Sequence, residues 1–407
     1  MLNLIWAAFF LIAVVAGFLR FLDGDTAIFQ QLVQATFDSA KLSVDIALGL
    51  IGVLALWSGL FRIAEKSGLI QKVGQWLSPV FERLMPEVPK GHPAQGAVTM
   101  NLAANMLGLD NAATPLGLKA MQELQSLNPS HDTASNAQIL FLVLNTASVT
   151  LLPITIFMYR AQLGAADPTV VFLPILLASI PSTLVGLIVV MMIQKIRLDA
   201  VLLAFFSGFL LVVGSVVYWL TALPSAELSQ HSQVLANGVL LTVIAGFIGI
   251  GLYRRVAVYE EFVVGAKEGF ETAVRLIPYL VAMLVAIAVF RASGALDFVG
   301  RAMSRVCEAV GLDTAFVDAL PVALMKPFSG SGARAMMLDV MNNHGVDSFV
   351  GKVAAVMQGS TETTFYVLTV YFGVVGITRI RYALWCGLLC DVVGLAMAVL
   401  VSYWFFG

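Results

Sequence analysis

Charge is what this chain has least of. Only 12% of its 407 residues are Asp, Glu, Lys or Arg, against about 25% in soluble globular domains. With 59% hydrophobic residues and a mean hydropathy of +0.90, that deficit excludes an ordinary soluble protein. Net charge is also scarce: 23 basic and 25 acidic residues leave −2, which excludes a basic surface for nucleic acid and an acidic tail. Three cysteines, Cys307, Cys386 and Cys390, are too few and too scattered for a disulfide framework or a thiolate metal site, and read as helix-packing residues. The four histidines (His92, His131, His231, His344) fall in expected loops or segment ends, none with a zinc-binding neighbour at helical spacing. H-E-x-x-H, G-x-S-x-G and G-x-x-x-x-G-K are all missing, so the chain reads as a non-enzyme with no resident cofactor.

What is present is long apolar sequence. A hydrocarbon core of about 30 Å takes about 20 apolar residues per helix, and nine stretches qualify: 4–22, 44–63, 137–160, 170–194, 201–221, 235–253, 274–291, 349–376 and 382–406. The first has no charge before Arg20 and no small-x-small cleavage site, and reads as a retained span. Backbone polar groups in lipid must be satisfied within their own segment, so these spans are helices.

The sequence also repeats. Phe61-Arg62 recurs as Phe290-Arg291, Ser67-Gly68 with Val73-Gly74 as Ser293-Gly294 with Val299-Gly300, and Val185-Gly186-Leu187 as Val393-Gly394-Leu395. Ala120-Met121 aligns with Val340-Met341 and Asn145 with Gln358; the offset drifts through 229, 226, 220, 213 and 208 residues as small insertions would make it. Each unit offers a span, an amphipathic stretch, a small-residue segment, a span with a polar middle, and a third span. Leu69, Ile70, Val73, Trp76, Leu77, Val80, Phe81 and Leu84 share one face of the first amphipathic stretch; Leu296, Val299, Met303, Val306 and Val310 share one in the second. Such helices are expected to lie in the membrane interface, with packing on protein as the alternative.

If each small-residue segment (97–121 and 318–342) dips in and returns, a unit crosses three times and the two linking spans leave the second unit inverted. Lys195, Arg197, Arg254, Arg255, Lys267, Arg275, Arg379 and Arg381 then share one face with a cytoplasmic N-terminus, while the 222–234 loop carries only Glu227. Arg291, Arg301 and Arg305 fall on the other face, against that rule. The fold expected is an all-α integral membrane protein of about nine transmembrane helices with two re-entrant helical hairpins in two inverted-topology repeats. Its parts are an N-terminal helix and loop (1–36), a first repeat (37–197), two linking helices (198–262) and a second repeat (263–407).

The segment AVTMNLAANMLGLDNAATPLGLKAM puts Asn101, Asn105, Asp110, Asn111, Thr114 and Pro115 among apolar neighbours, a pattern for two half-helices meeting near 108–113. Its counterpart has the tip Ser329-Gly330-Ser331-Gly332-Ala333, which would free backbone N–H groups. A polar surface loop is the alternative for both. The following spans are interrupted by Asn145-Thr146-Ala147-Ser148-Val149-Thr150 with Pro153, and by Gln358-Gly359-Ser360-Thr361-Glu362-Thr363-Thr364. Broken helices of this kind expose carbonyls and hydroxyls to a ligand; joining neighbouring helices is the alternative. Intramembrane charges cost about 2.5–3.5 kcal/mol each on insertion scales, which singles out Asp110, Lys326, Arg334, Asp339, Glu362 and Asp391. Glu362 stands first, as an ion or polar-substrate ligand or as a partner for Arg334. An aspartyl pair of Asp110 and Asp339 is specified by nothing in their flanks.

NMLGLDNAATPLGLKAM (105–121) closely resembles the signature of spore maturation protein A, and PFSGSGARAMMLDVM (327–341) with DSFVGKVAAVMQGSTETTFYVLTVYFG (347–373) resembles spore maturation protein B. Both belong to the nucleoside-recognition or Gate superfamily, which is similar to concentrative nucleoside transporters and to the gates of the bacterial ferrous-iron transporter. The resemblance covers about 37–406 and differs from the usual pattern in fusing both halves. It implies two re-entrant hairpins and two unwound helices that bind substrate and a coupling ion. The substrate candidates it implies are Asn101, Asn105, Asn111, Thr114, Asn145, Thr146, Ser329, Ser331, Arg334, Gln358, Ser360, Thr361, Glu362 and Thr363; the ion-coupling candidates are Glu362, Asp110 and Asp339.

The function expected is an inner-membrane, multi-pass secondary transporter of a small polar or anionic solute, working by alternating access and coupled to Na+ or H+. Alternatives are an assembly or sensing factor of the spore maturation type, and a lipid or polyprenyl-phosphate flippase using Arg334 and Lys326. The expected partners are the solute and the bilayer, not nucleic acid; association into a homo-oligomer is compatible with the sequence.

Overall fold

In a computed structural model the described residues are 2–107, 110–222, 225–309, 311 and 313–407; of 2, 3, 110–112 and 225–229 only the backbone is described. These form seventeen α-helices and no strand among the described residues. Seven of the helices are long and apolar enough to cross a membrane: α1 (Leu2–Leu22), α2 (Ile28–Lys66), α8 (Phe172–Gln194), α9 (Ala200–Thr221), α10 (Ser225–Tyr253), α11 (Val258–Ala292) and α17 (Ala383–Phe406). The other two expected spans are split into pairs, α6 (Asn136–Thr146) with α7 (Ile154–Gln162), and α15 (Phe349–Ser360) with α16 (Thr364–Gly373). No member of either pair alone reaches the length of a bilayer core.

The remaining helices are α3 (Leu69–Leu84), α4 (Pro93–Met106), α5 (Asp110–Ser126), α12 (Ala295–Ala309), α13 (Leu320–Met325) and α14 (Gly330–His344). Some boundaries differ from expectation. α2 begins at Ile28, not 44, and α11 at Val258, not 274, because their first turns carry residues such as Gln30, Gln34, Glu260 and Lys267 that form helix readily but lower hydropathy. The connector expected over 222–234 is helical from Ser225 onward, with His231 inside α10, and the Glu227 side chain lies outside the described residues.

The chain folds into two compact units. One gathers Met1–Gly59, Thr155–Pro168 and Phe262–Gln358; the other gathers Leu60–Ile154, Thr169–Glu261 and Gly359–Gly407. In the first unit α1, α2 and α11 pack through Ala13, Ile28, Leu32, Val285 and Val289. The Trp6 indole donates to the Ala282 carbonyl at 2.9 Å, and Arg20, paired with Asp25 at 2.7 Å, donates to the Ala292 carbonyl at the end of α11, where a cation opposes the helix dipole. On the other side α1 leaves Leu11, Val15, Phe18 and Leu19 exposed, a contiguous apolar surface that water disfavours and lipid accepts.

In the second unit α3, α4, α5, α6, α8, α16 and α17 all contribute to one hydrophobic core. The two amphipathic helices differ. α3 buries Ile70, Leu77, Val80, Phe81 and Leu84 in this unit, so its apolar face packs on protein, with Trp76 left exposed. α12, in the first unit, buries no residue, Cys307 included, whereas Cys386 and Cys390 are buried as expected; Val310 lies outside the described residues. α9 joins α3 through Arg83 and Asp199, 2.6 Å apart. Asp199 caps α9, and the Leu202 backbone N–H holds its carboxyl below the usual carboxylate range.

α8 and α17 pack tightly at matched positions of the repeat. A Cβ on Gly186 would press on the Cys390 Sγ and Val143; one on Gly394 would strike the Thr361 side chain and lie 3.3 Å from the Ser182 Cβ and the Ser360 carbonyl. Gly394→Val is therefore expected to lower stability in detergent by about 1–3 kcal/mol through overpacking, read by thermal unfolding. Gly246→Ala, where a Cβ inside α10 meets open space, should not lower it, since alanine favours the helix.

Candidate functional site

The candidate residues divide between the units. The second unit holds the hairpin α4/α5 and both helix breaks. His92 caps α4 by accepting the Ala94 N–H, and the capping box of Ser135 with Gln138 starts α6. α6 stops at Thr146, followed by the non-helical run 147–153; Pro153 cannot donate to a helical ladder and biases Leu152 toward extended backbone. α15 stops at Ser360, and Thr361 to Thr363 form the second break, Thr363 being extended.

The two breaks bond to each other. In an unbroken helix the Glu362 N–H would donate to Gln358; here it donates to the Thr146 carbonyl at 2.8 Å. The Thr183 hydroxyl donates to the Ala147 carbonyl, and the Leu151 N–H donates to Met106 at the end of α4 at 2.9 Å. Neighbouring side chains extend the network. Asn105 donates to the Asn145 Oδ1 at 2.8 Å, Asn145 donates to Phe141 at 2.8 Å, and Asn101 donates to the Ala113 carbonyl at 2.7 Å. Tyr371 places its hydroxyl 3.5 Å from the Asn145 Oδ1 and fills the space a Cβ on Gly117 would take. The Thr364 hydroxyl at the start of α16 donates to Asp391 at 2.6 Å.

Against this satisfied frame, Asn101 Oδ1 and the hydroxyls of Thr146, Thr361 and Thr363 are buried with no hydrogen-bond partner among the described residues. Each such atom costs about 1–3 kcal/mol. Glu362, between two of them, is exposed. Thr114 is half-buried on α5, and Ser360 is buried. The side chains of Asp110 and Asn111, with Gly108 and Leu109 of the expected tip, lie outside the described residues.

The first unit holds the hairpin α13/α14. Its tip is less open than expected: Ser329 accepts the Gly332 N–H at 3.0 Å and sits 3.2 Å from the Ser331 hydroxyl, so the tip caps itself. Arg334 lies over the Tyr159 ring, 5.7 Å from its centroid. Asp339 is ion-paired with Arg291 and accepts from Asn343 at 2.9 Å, a partnered carboxylate. Lys326 is buried, and its Nζ donates to the Gln358 carbonyl at 2.7 Å.

Tyr371 and Thr183 sit in apolar-looking spans and signal nothing in the sequence without their partners, whereas Thr364 ends the polar run of the second break and only the fold shows its partner, Asp391. Asp391 carried the signal of an intramembrane charge but was not placed at the break it supports.

Seven membrane-length helices, two helical hairpins and two broken helices define a polytopic helical membrane protein. A family model described as Gate, nucleoside recognition, matches residues 47–162 and 273–378, more than half of the chain, and the chain belongs to that family. It is 46% identical over 173 residues to spore maturation protein B of Bacillus subtilis, an alignment covering 42% of this chain and 96% of that protein. It is 37% identical over 189 residues to spore maturation protein A of Bacillus subtilis, covering 46% of this chain and 93% of that protein. Similarity to both is what a fusion of the two would give. No solved structure matches it.

Proposed function

We propose that the chain is a secondary transporter of a small polar or anionic solute in the cytoplasmic membrane, working by alternating access and coupled to Na+ or H+. The two hairpins act as re-entrant elements and the two broken helices as unwound binding elements, and the solute is held at the paired breaks of the second unit. One observation carries this reading: four polar atoms, on Asn101 of the hairpin and on Thr146, Thr361 and Thr363 at the two breaks, are buried with no partner among the described residues. A fold keeps such a cost where a ligand repays it. Exposed Glu362 supplies the charge that selects the solute's polar group or carries the coupling ion.

The test begins with a thermal-shift screen of the purified chain against nucleosides, amino acids, dicarboxylates and pyridine carboxylates, since a ligand of the folded state raises its apparent stability. A hit is then followed by uptake into proteoliposomes. Glu362→Gln is expected to reduce uptake to background while leaving the melting temperature within about 2 °C of wild type, the span of a surface change. Uptake at the wild-type rate removes Glu362 from the site, and a screen in which no solute shifts the protein removes the carrier reading. The relatives' names support a second reading, a spore maturation factor; acting by recruiting partners in place of carrying a solute, it predicts no small-solute binding at all.

A further inference from the structure

The two helix breaks are built differently. At the first, the Thr146 and Ala147 carbonyls take neutral donors, the Glu362 N–H and the Thr183 hydroxyl. At the second, the Gln358 carbonyl, deprived of the Glu362 N–H by the break, takes the ammonium of Lys326 at 2.7 Å. Lys326 sits just past the end of α13, is almost wholly buried, and is followed by Pro327, which stops the helix there. The Gln358 Oε1 is also buried, with no partner among the described residues, so this helix end presents a second acceptor beside the carbonyl. The carbonyl end of a broken helix is the negative end of its dipole, and in membrane carriers such ends hold alkali cations.

We infer that Lys326 is a built-in cation: its tethered ammonium occupies the carbonyl end of α15 in place of an exchangeable Na+ or K+, so that the second break works without a bound metal ion. This rests on the carrier reading only in assigning any coupling ion to a place other than this break.

The purified full-length chain would be melted in choline, sodium, potassium and ethylammonium chloride at equal ionic strength. Wild type sets the reference in each salt. Lys326→Ala is expected to melt about 5 °C below wild type in choline, and the deficit should shrink as sodium, potassium or ethylammonium is raised. Lys326→Met, which fills the space without charge, should keep its deficit in every salt. An alanine variant as stable as wild type in choline, a deficit that no small cation reduces, or equal rescue of alanine and methionine overturns the inference. If the alanine variant cannot be extracted folded in choline, recovery in ethylammonium supports the inference and failure in every salt overturns it. The assay contains no solute, so its failure leaves the solute screen's result standing, and the reverse.

Discussion

Thr361→Val is expected to stabilise the protein and to disable it. The two side chains have nearly the same shape, and the Thr361 hydroxyl is buried without a partner among the described residues. Removing it relieves a desolvation cost of about 1–3 kcal/mol, a rise in melting temperature of about 2–6 °C at the usual sensitivity of larger domains. Extending the change to Thr146→Val and Thr363→Val should add to the rise, less than additively, because the residues adjoin the same breaks. Binding should move the other way. Each lost hydrogen bond to a solute costs about 1 kcal/mol or more, and so about fivefold to tenfold in affinity. The measurement pairs thermal unfolding without solute with titration of the solute that the screen finds. Valine variants that lose stability would mean the hydroxyls already serve the fold. Variants that gain stability and bind unchanged would place the solute elsewhere.

Arg160→Met should give the largest loss of stability. Arg160 lies on α7 with its side chain fully buried, and its guanidinium reaches four acceptors: the Val346 carbonyl at 2.8 Å, Asp347 Oδ1 at 2.8 Å, the Pro168 carbonyl at 3.3 Å and the Asp167 carbonyl at 3.4 Å. Asp347 in turn accepts the Ala166 N–H at 2.8 Å, so one ion pair joins the loop after α7 to the loop before α15. Methionine fills part of the volume but leaves these acceptors unpaired. Breaking a buried pair by removing one partner costs about 3–5 kcal/mol; because Asp347 is partly exposed, the lower end of that range is expected. Asp347→Asn keeps a neutral acceptor for the guanidinium and should cost less. Urea or thermal unfolding of the two variants side by side checks the order; equal losses would place the energy in the carboxylate and not in the guanidinium's hydrogen bonds.

Much of this architecture is legible in the sequence, and for a physical reason. Lipid forces backbone pairing into each segment, so a 19-residue stretch whose one charge is Arg20 can only be a helix like α1. Polar runs such as Asn145 to Thr150 and Gln358 to Thr364 can only be interruptions, and both are where helices stop. The repeat was readable as well: Gly186 and Gly394, matched by their neighbours alone, both lie where α8 and α17 crowd together. What stayed hidden depends on pairs distant in the chain. The pairings of Arg160 with Asp347, Lys326 with Gln358 and Thr364 with Asp391 leave no trace in hydropathy, which registers each polar residue but not its partner. The early turns of α2 and α11 were hidden differently, their helicity coming from propensity in residues that a lipid scale scores as loop.

The bond that joins the two interruptions, from the amide of Glu362 to the carbonyl of Thr146, belongs wholly to the main chain. Alanine scanning would pass over it, since any residue but proline at 362, and any residue at 146, keeps the donor and the acceptor. Substitution at either position can change the side chains beside the breaks while the clasp persists. Glu362→Pro, or an ester in place of that amide, is the change that would unfasten it.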